Sequence, residues 1–571
     1  MNGKAPRVGQ NEDAAIAQDV ASALALAREH HQAGRLAEAE ALYKKILAMR
    51  PHHAQGTHLL GVLAHQAGRG DVAIALMRSS IALDGGVPAF HGNLGNVLLQ
   101  RGEPDAAADS FQRAIALAPD RPEFHLRLAQ ARMAQGRLDD AARGYERGLA
   151  LDPNNADALT NLGTAYQALG RPDRAVQCFR RALELRPEHF EALYNLGNAL
   201  AESGAFAEAV AIYDSIVARQ PDFLDAHVNR ANAMRDMGRL ADAEAGLRRL
   251  LAIAPSFAEG HKNLGHVLLL AGKLAEGWDE YEWRWRAPSY AGPRREFAQP
   301  RWQGEDIGGR TLLLHAEQGL GDAIQFFRYA MLAQPRGRIV IEVPRPLVRL
   351  FANQAGAGTV VAAGDPLPAF DLQCPFFSLP RVFHTDLESI SHAVPYLKAD
   401  TAAESAWRAR LAGGKPRIGI AWSGNPRHAN DRNRSVPLAQ LAAFIERSGA
   451  DWHAVQTDLR EGDADLVARS PNLTRHDESL GDLADTAALM SCLDLIVSVD
   501  TAPAHLAGAL GKPVWVLLPF APDWRWMLGR ADSPWYPTMR LFRQEKPGDW
   551  TEPIARVEAA FAAWLAGAKG G

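Results

Sequence analysis

Cysteine is scarce in this chain: Cys178, Cys374 and Cys492 are the only three in 571 residues, and they lie far apart. That excludes a disulfide framework, gives no metal-ligand spacing and leaves three small buried hydrophobes. No apolar run approaches the ~18 residues of a membrane span. The first residues are polar, with Glu12, Asp13 and Asp19, and lack the apolar core of a signal peptide. A net charge of -4 offers neither the basic domain nor the basic stripe of a nucleic-acid binder. These absences point to a cytoplasmic chain without nucleic-acid partner or membrane span. The rest of the composition, 47% hydrophobic and 22% charged, is ordinary for a soluble globular protein.

What the chain does have is a row of glycines. Gly34, Gly68, Gly102, Gly136, Gly170, Gly204, Gly238 and Gly272 stand 34 residues apart. With each glycine as position 15 of a unit, position 8 is always Ala or Gly, from Ala27 and Gly61 to Gly265. Position 20 runs from Ala39 to Ala243 and ends on Gly277; position 24 is large, from Tyr43 to Tyr281; position 32 is mostly proline. Small residues at 8 and 20 let two antiparallel helices approach, and the position-24 side chain is expected to fill the gap to the neighbouring unit. The glycine turns the chain and the proline stops the second helix. One hairpin cannot bury its apolar face alone, so the units stack. The pattern resembles the tetratricopeptide-repeat consensus, implying an α solenoid over residues 20–286 behind a polar segment, 1–19.

Position 6 of the first helices carries Asn93, Asn161, Asn195, Asn229 and Asn263, with Asn96, Asn198 and Asn232 at position 9. Asparagine is a mediocre helix former, so its recurrence calls for a reason. Its amide offers donor and acceptor together, as a peptide unit does. Either the ladder grips an extended polypeptide or it satisfies helix–helix contacts. A comparable ladder lines the repeats of the O-linked N-acetylglucosamine transferases, a resemblance that implies a groove for acceptor peptide.

The last unit ends Trp278, Trp283, Trp285, a cluster expected to pack the final helix onto the next domain. Residues 287–309, rich in Pro, Gly and charge, read as a surface connection. From Thr311 onward, short apolar strands alternate with helical stretches: 311–315, 338–343, 358–362, 370–373, 417–422, 452–455, 495–499 and 513–518. This alternation predicts parallel sheets covered by helices on both faces, in two lobes, 310–400 and 416–571, the second ending in a terminal helix and the two joined through 401–415. Ligands of such sheets sit beyond the carboxyl ends of the strands.

Three loops lie there. After the first strand comes Gly319-Leu320-Gly321-Asp322, where Asp322 opens a helix and either acts chemically or simply suits the helix dipole. After strand 417–422 come Ser423, Asn425, Arg432 and Arg434, a basic loop that is either solvated or set to meet phosphate. After strand 495–499 come Asp500, Thr501 and His505, leading into a helix whose free amides could take a diphosphate, or whose Thr501 simply caps it. Asp463-Ala464-Asp465 matches a metal-binding D-x-D pattern but lacks a preceding strand, and reads as solvated surface.

Together G-L-G-D-A-I, R-N-R-S-V-P and V-D-T-A-P-A-H-L-A-G-A-L-G-K-P resemble the GT-B glycosyltransferases of the heptosyltransferase-like group. Behind tetratricopeptide repeats, the architecture looks like O-linked protein glycosyltransferases, including those that modify flagellin. The resemblance implies an α/β GT-B fold of two Rossmann-like lobes, no cofactor or metal, and a nucleotide-sugar donor. It places Asp322, or His315 across the cleft, as base, with Ser423, Asn425, Arg432, Arg434, Asp500, Thr501 and His505 around the donor. Arg434 stands where the family has lysine. Transfer to Ser or Thr of a protein held by the repeats is the leading expectation. A non-enzymatic scaffold, or transfer to a glycan or lipid-linked acceptor, stands as the alternative.

Overall fold

The computed structural model describes residues 8–568 except 291, 392, 412 and 429. It divides into two compact units, Met1–Ala218 and Arg219–Gly571. The division does not fall at residue 286: the last two hairpins belong to the second unit.

In the first unit, helices pair as expected, for example Ala156–Ala168 with Pro172–Leu185. All eight marker glycines in the chain have positive φ, from 66° to 83°, which a side chain adopts only under strain. The small residue at position 8 has a sharper role than expected. A Cβ on Gly95 would stand 2.7 Å from the Phe111 ring, on Gly163 2.5 Å from Phe179, and on Gly197 2.8 Å from Tyr213. In these three hairpins position 24 seats its ring on the glycine of its own hairpin, and Phe111 shares a core cluster with Ala131 of the next one. The first helix, Val8–Gln32, reaches into the segment 1–19 expected to be a polar tail. Ala14, Ala15 and Ala17 are strong helix formers, which extends the first helix backward; residues 1–7 lie outside the described residues.

The second unit opens with hairpins Leu224–Asp236/Leu240–Ile253 and Ala258–Leu270/Leu274–Tyr281, then a 3₁₀ turn, Glu282–Arg286. Only Trp278 of the tryptophan cluster enters the domain core: its ring meets Trp524 edge-on at 5.2 Å, and its indole N–H donates to the Thr385 carbonyl. Trp283 instead stacks on His261 of its own repeat at 4.0 Å, and Trp285 lies against the Arg284 guanidinium. The supposed surface connection 287–309 is partly core. Trp302 and Ile307 are buried, and Trp302 N–H donates to Gln373, pairing this segment with the sheet edge.

Four strands make the first lobe: β1 (Thr311–His315), β2 (Arg338–Val343), β3 (Thr359–Ala362) and β4 (Leu372–Pro375). Six make the second: β5 (Arg417–Ala421), β6 (Asp451–Ala454), β7 (Leu473–Thr474), β8 (Leu495–Val499), β9 (Val514–Leu518) and β10 (Met539–Arg543). The orders are β3-β2-β1-β4 and β10-β9-β8-β5-β6-β7, and the ladders are parallel throughout. The helix Thr401–Arg410 fills the connection between lobes, and Thr551–Ala568 closes the second lobe by packing Phe561 on Trp452 and Phe444. Strand order reverses direction at β1 and at β5, so the crevices beyond their carboxyl ends are where a ligand belongs.

The ring seated on glycine is the repeated unit of the solenoid core. Phe179→Ala should lower stability by about 3–5 kcal/mol, read as a fall in the denaturant midpoint of the full chain. An unchanged midpoint would show that the ring is not a core element.

Candidate functional site

The loop after β1 leads into the helix Leu320–Ala333 with Gly319 as its N-cap. One oxygen of Asp322 accepts the Gly319 N–H at 2.7 Å, so the capping role exists. It is not the whole role, because the other oxygen is paired with the Arg525 guanidinium. Burial raises the Asp322 carboxyl above its ordinary value; Arg525 opposes the shift and Asp523 adds to it.

The loop after β5 folds back on β8. Arg434 donates to the Asp500 carbonyl at 3.0 Å, and its guanidinium covers Gly424, where a Cβ would stand 2.7 Å from Nη2. The Nε of Arg434 is buried without a hydrogen-bond partner. Asp431 is held by Arg460 and by the Ser435 hydroxyl, which stiffens the short helix Asp431–Arg434. Ser423 is buried against Gln456, which donates to its hydroxyl at 2.9 Å. Asn425 and Arg432 are exposed. His428, exposed on this loop, lies within the fields of Arg434, Asp523 and Asp322.

After β8, Thr501 is the N-cap of the helix Ala502–Ala509, yet its hydroxyl makes no capping bond. The capping role expected of it as an alternative is therefore absent. Burial and the neighbouring Asp523 push the Asp500 carboxyl up to about 6. The two helices that follow β1 and β8 touch: a Cβ on Gly321 would stand 2.8 Å from the His505 ring. Asp322, Arg434, Asp500 and Thr501 are thus gathered at neighbouring strand ends.

Two expected histidines are corrected. His505 is buried, bonded through Nδ1 to the Tyr536 hydroxyl at 3.0 Å and stacked on Trp526, so it supports the helix rather than presenting an open ring to a donor. Burial lowers it to about 3. His315 is buried beside Gln373 and Phe297 and lowered to about 4, with Arg295, Arg301 and Arg284 for charged neighbours instead of Asp322. It does not face the base across a cleft. Asp463 is corrected too: it is buried and accepts from the Trp422 indole and the Arg460 backbone, whereas Asp465 is exposed.

Sequence reasoning missed Asp523 and Arg525, which belong to no motif. Arg525 donates to Gln325 at 2.5 Å and to Asp523 at 2.7 Å besides Asp322. A signal existed: Trp-Arg-Trp occurs as Trp283-Arg284-Trp285 and again as Trp524-Arg525-Trp526. Arg284, fully buried, pairs at 2.7 Å with Glu317 on the loop that leads into the helix carrying Asp322. Glu317 is raised to about 7, chiefly by burial, with Arg284 opposing.

The asparagines differ from rung to rung. Asn93 is within 2.9 Å of His58, and Asn263 is buried and donates to the Glu259 carbonyl of its own helix. Asn263 is therefore no open rung of a groove. Asn161, Asn195 and Asn229 are half-buried.

Comparison with known proteins finds matches in both halves of the chain. Residues 24–88, 93–156, 160–222 and 200–267 match tetratricopeptide-repeat models. Residues 481–518, from the helix before β8 to the end of β9, match glycosyltransferase family 9 (heptosyltransferase). Protein FlbA of Caulobacter vibrioides is 28% identical over 322 residues, 50% of this chain and 52% of that protein. The chain thus spans about half the length of the curated relative it matches. Among solved structures, the MamA protein is 26% identical over 30% of this chain and 94% of that one, with a TM-score of 0.28. YrrB, titled a TPR protein with an unusual peptide-binding site, is 23% identical over 30% and 89%, with a TM-score of 0.28. No described helix is long and apolar enough to cross a membrane.

The raised Asp500 gives a stability test. Its folded pKa of about 6 exceeds an unfolded value of about 3.9, so the native state holds the proton more tightly. Stability from this group is full below pH ~4 and is lost as pH rises through ~6. Asp500→Asn should therefore raise Tm at pH 7.5, with a gain that vanishes toward pH 4. A gain that is constant with pH would assign the effect to packing.

Proposed function

We propose that this chain, which joins tetratricopeptide repeats to a segment of the glycosyltransferase family 9 kind, is a GT-B glycosyltransferase. In this reading it moves a sugar from a nucleotide-sugar to a Ser or Thr hydroxyl of a protein held by the repeats, in the cytoplasm and without a metal. The observation that carries it is the gathering of a raised carboxylate, Asp322, with Arg434, Asp500 and the uncapped Thr501 at the ends of β1, β5 and β8. The bond from the sugar carbon to the diphosphate breaks as the bond to the acceptor oxygen forms. Asp322 takes the hydroxyl proton, for which a carboxylate above its ordinary pKa is better matched. The leaving diphosphate gathers negative charge, and Arg434 with the positive end of the helix Ala502–Ala509 stabilises it.

On the acceptor side, the half-buried Asn161 and Asn195 offer donor and acceptor groups at the spacing of successive repeats. A scaffold without catalysis is the competing reading. The Asp322–Arg525 pair favours it, because a guanidinium at a carboxylate weakens it as a base.

Intact-mass analysis of proteins co-expressed with the wild-type chain should show a sugar-sized increment on an acceptor. Asp322→Asn should abolish it, a loss of at least about 100-fold in rate, while nucleotide-sugar binding is kept. No increment on any acceptor, together with no nucleotide release from UDP-, GDP-, ADP- or CMP-sugars, would leave the scaffold reading. Asn161→Ala with Asn195→Ala should weaken acceptor binding several-fold and spare nucleotide release in its absence; unchanged acceptor affinity would remove the ladder from acceptor recognition.

A further inference from the structure

Arg525 lies in the segment between β9 and β10 of the second lobe, and Asp322 on the first helix of the other lobe. Arg525 is buried, 5% exposed. Its nitrogens are divided among three acceptors: Asp322 and Gln325 on the first-lobe helix, and Asp523 on its own segment. Its plane lies over the Trp524 ring at 4.4 Å and the Phe377 ring at 5.3 Å, the second from the first lobe. A planar fork held by three acceptors and two rings has one orientation. Asp322 is fixed correspondingly: one oxygen on the Gly319 N–H, the other on Arg525, with further lone pairs on each to accept a proton.

We propose that Arg525 is a positioning residue for Asp322, aiming its carboxylate from the opposite lobe so that the base is set only while the two lobes stand together. The inference rests on the reading of Asp322 as the base. It turns the pair that weakens that base into the device that orients it: orientation of a reacting group outweighs a modest loss of basicity, since a misplacement of ~1 Å costs about 100-fold in rate.

The pH dependence follows from the groups that face Asp322. These are Arg525 and Asp523 from the β9–β10 segment, His428 from the loop after β5, Tyr281 from the last repeat, and His505 across Gly321. Arg525 is the cation in contact. Its removal raises the Asp322 carboxyl, and the base stays protonated to higher pH.

The test uses the full chain and whichever of the UDP-, GDP-, ADP- and CMP-sugars it turns over, with wild type, Arg525→Met, Arg525→Lys and Asp322→Asn compared. Arg525→Met should leave the donor KM within about twofold, lower kcat about 100-fold, and move the acid limb of the kcat profile to higher pH. Arg525→Lys, which keeps the charge without the fork, should lose less rate and keep the wild-type limb. A wild-type kcat in the lysine variant overturns the inference even if the methionine variant fails to fold. An unmoved acid limb in a folded methionine variant, with Asp322→Asn inactive, overturns the inference alone. Activity retained in Asp322→Asn, or no turnover of any nucleotide-sugar by wild type, overturns the base reading and the inference with it.

Discussion

Two buried guanidiniums each meet a carboxylate in the stretch of chain that leaves β1. Arg284 grips Glu317 and Arg525 grips Asp322, five residues further on. Each arginine stands between two tryptophans in sequence, and each has an aromatic ring against its face. Breaking a buried pair costs about 3–5 kcal/mol, because the surviving charge is left without compensation. The loop after β1 is therefore fixed by the 3₁₀ turn that follows the last repeat, and the start of the helix it enters is fixed by the second lobe. The Tyr281 hydroxyl strengthens the first of these by accepting from Gln318. This is why the last two hairpins share a compact unit with the α/β lobes: part of the wall behind the candidate base is made of repeat.

Legibility in the sequence follows the same physics. Parallel strands buried on both faces read as continuous apolar runs, and β1, β2, β8 and β9 were plain for that reason. The strands β7 and β10 were not, since one is two residues long and the other carries Arg540 and Arg543 at the edge of its sheet. The connection 287–309 was misread because Trp302 and Ile307 are isolated apolar residues among charges, with no period to reveal that the segment joins β4. Asp322, Arg434, Asp500 and Thr501 were legible because topology alone brings strand-end loops together. His315 and His505 were misjudged because a histidine in a motif says nothing of its burial. Arg525 escaped because its partner lies 203 residues away.

The repeat carries a similar lesson about identical letters in different settings. Asparagine at position 6 meets His58 at Asn93, its own helix at Asn263, and a half-open face at Asn161 and Asn195. A ladder read from spacing is thus a set of sites, and only its open rungs can serve an extended chain. The closed rung, Asn263, sits in the last unit, where the helix that carries it is packed at the joint.

Position 9 carries this argument into the α/β half. Asn96, Asn198 and Asn232 occupy it in earlier units, and the last unit places His266 there. Burial and Arg235 hold that ring neutral, near 3, and Asp523 opposes them. Asp523 is the carboxylate that also fixes Arg525 and raises Asp500. A single charged side chain therefore acts on the last repeat, on the partner of the candidate base and on the candidate donor loop. Altering it would disturb all three together. The position-9 period of the final repeat thus ends on His266, within the fields of Asp523 and Arg525.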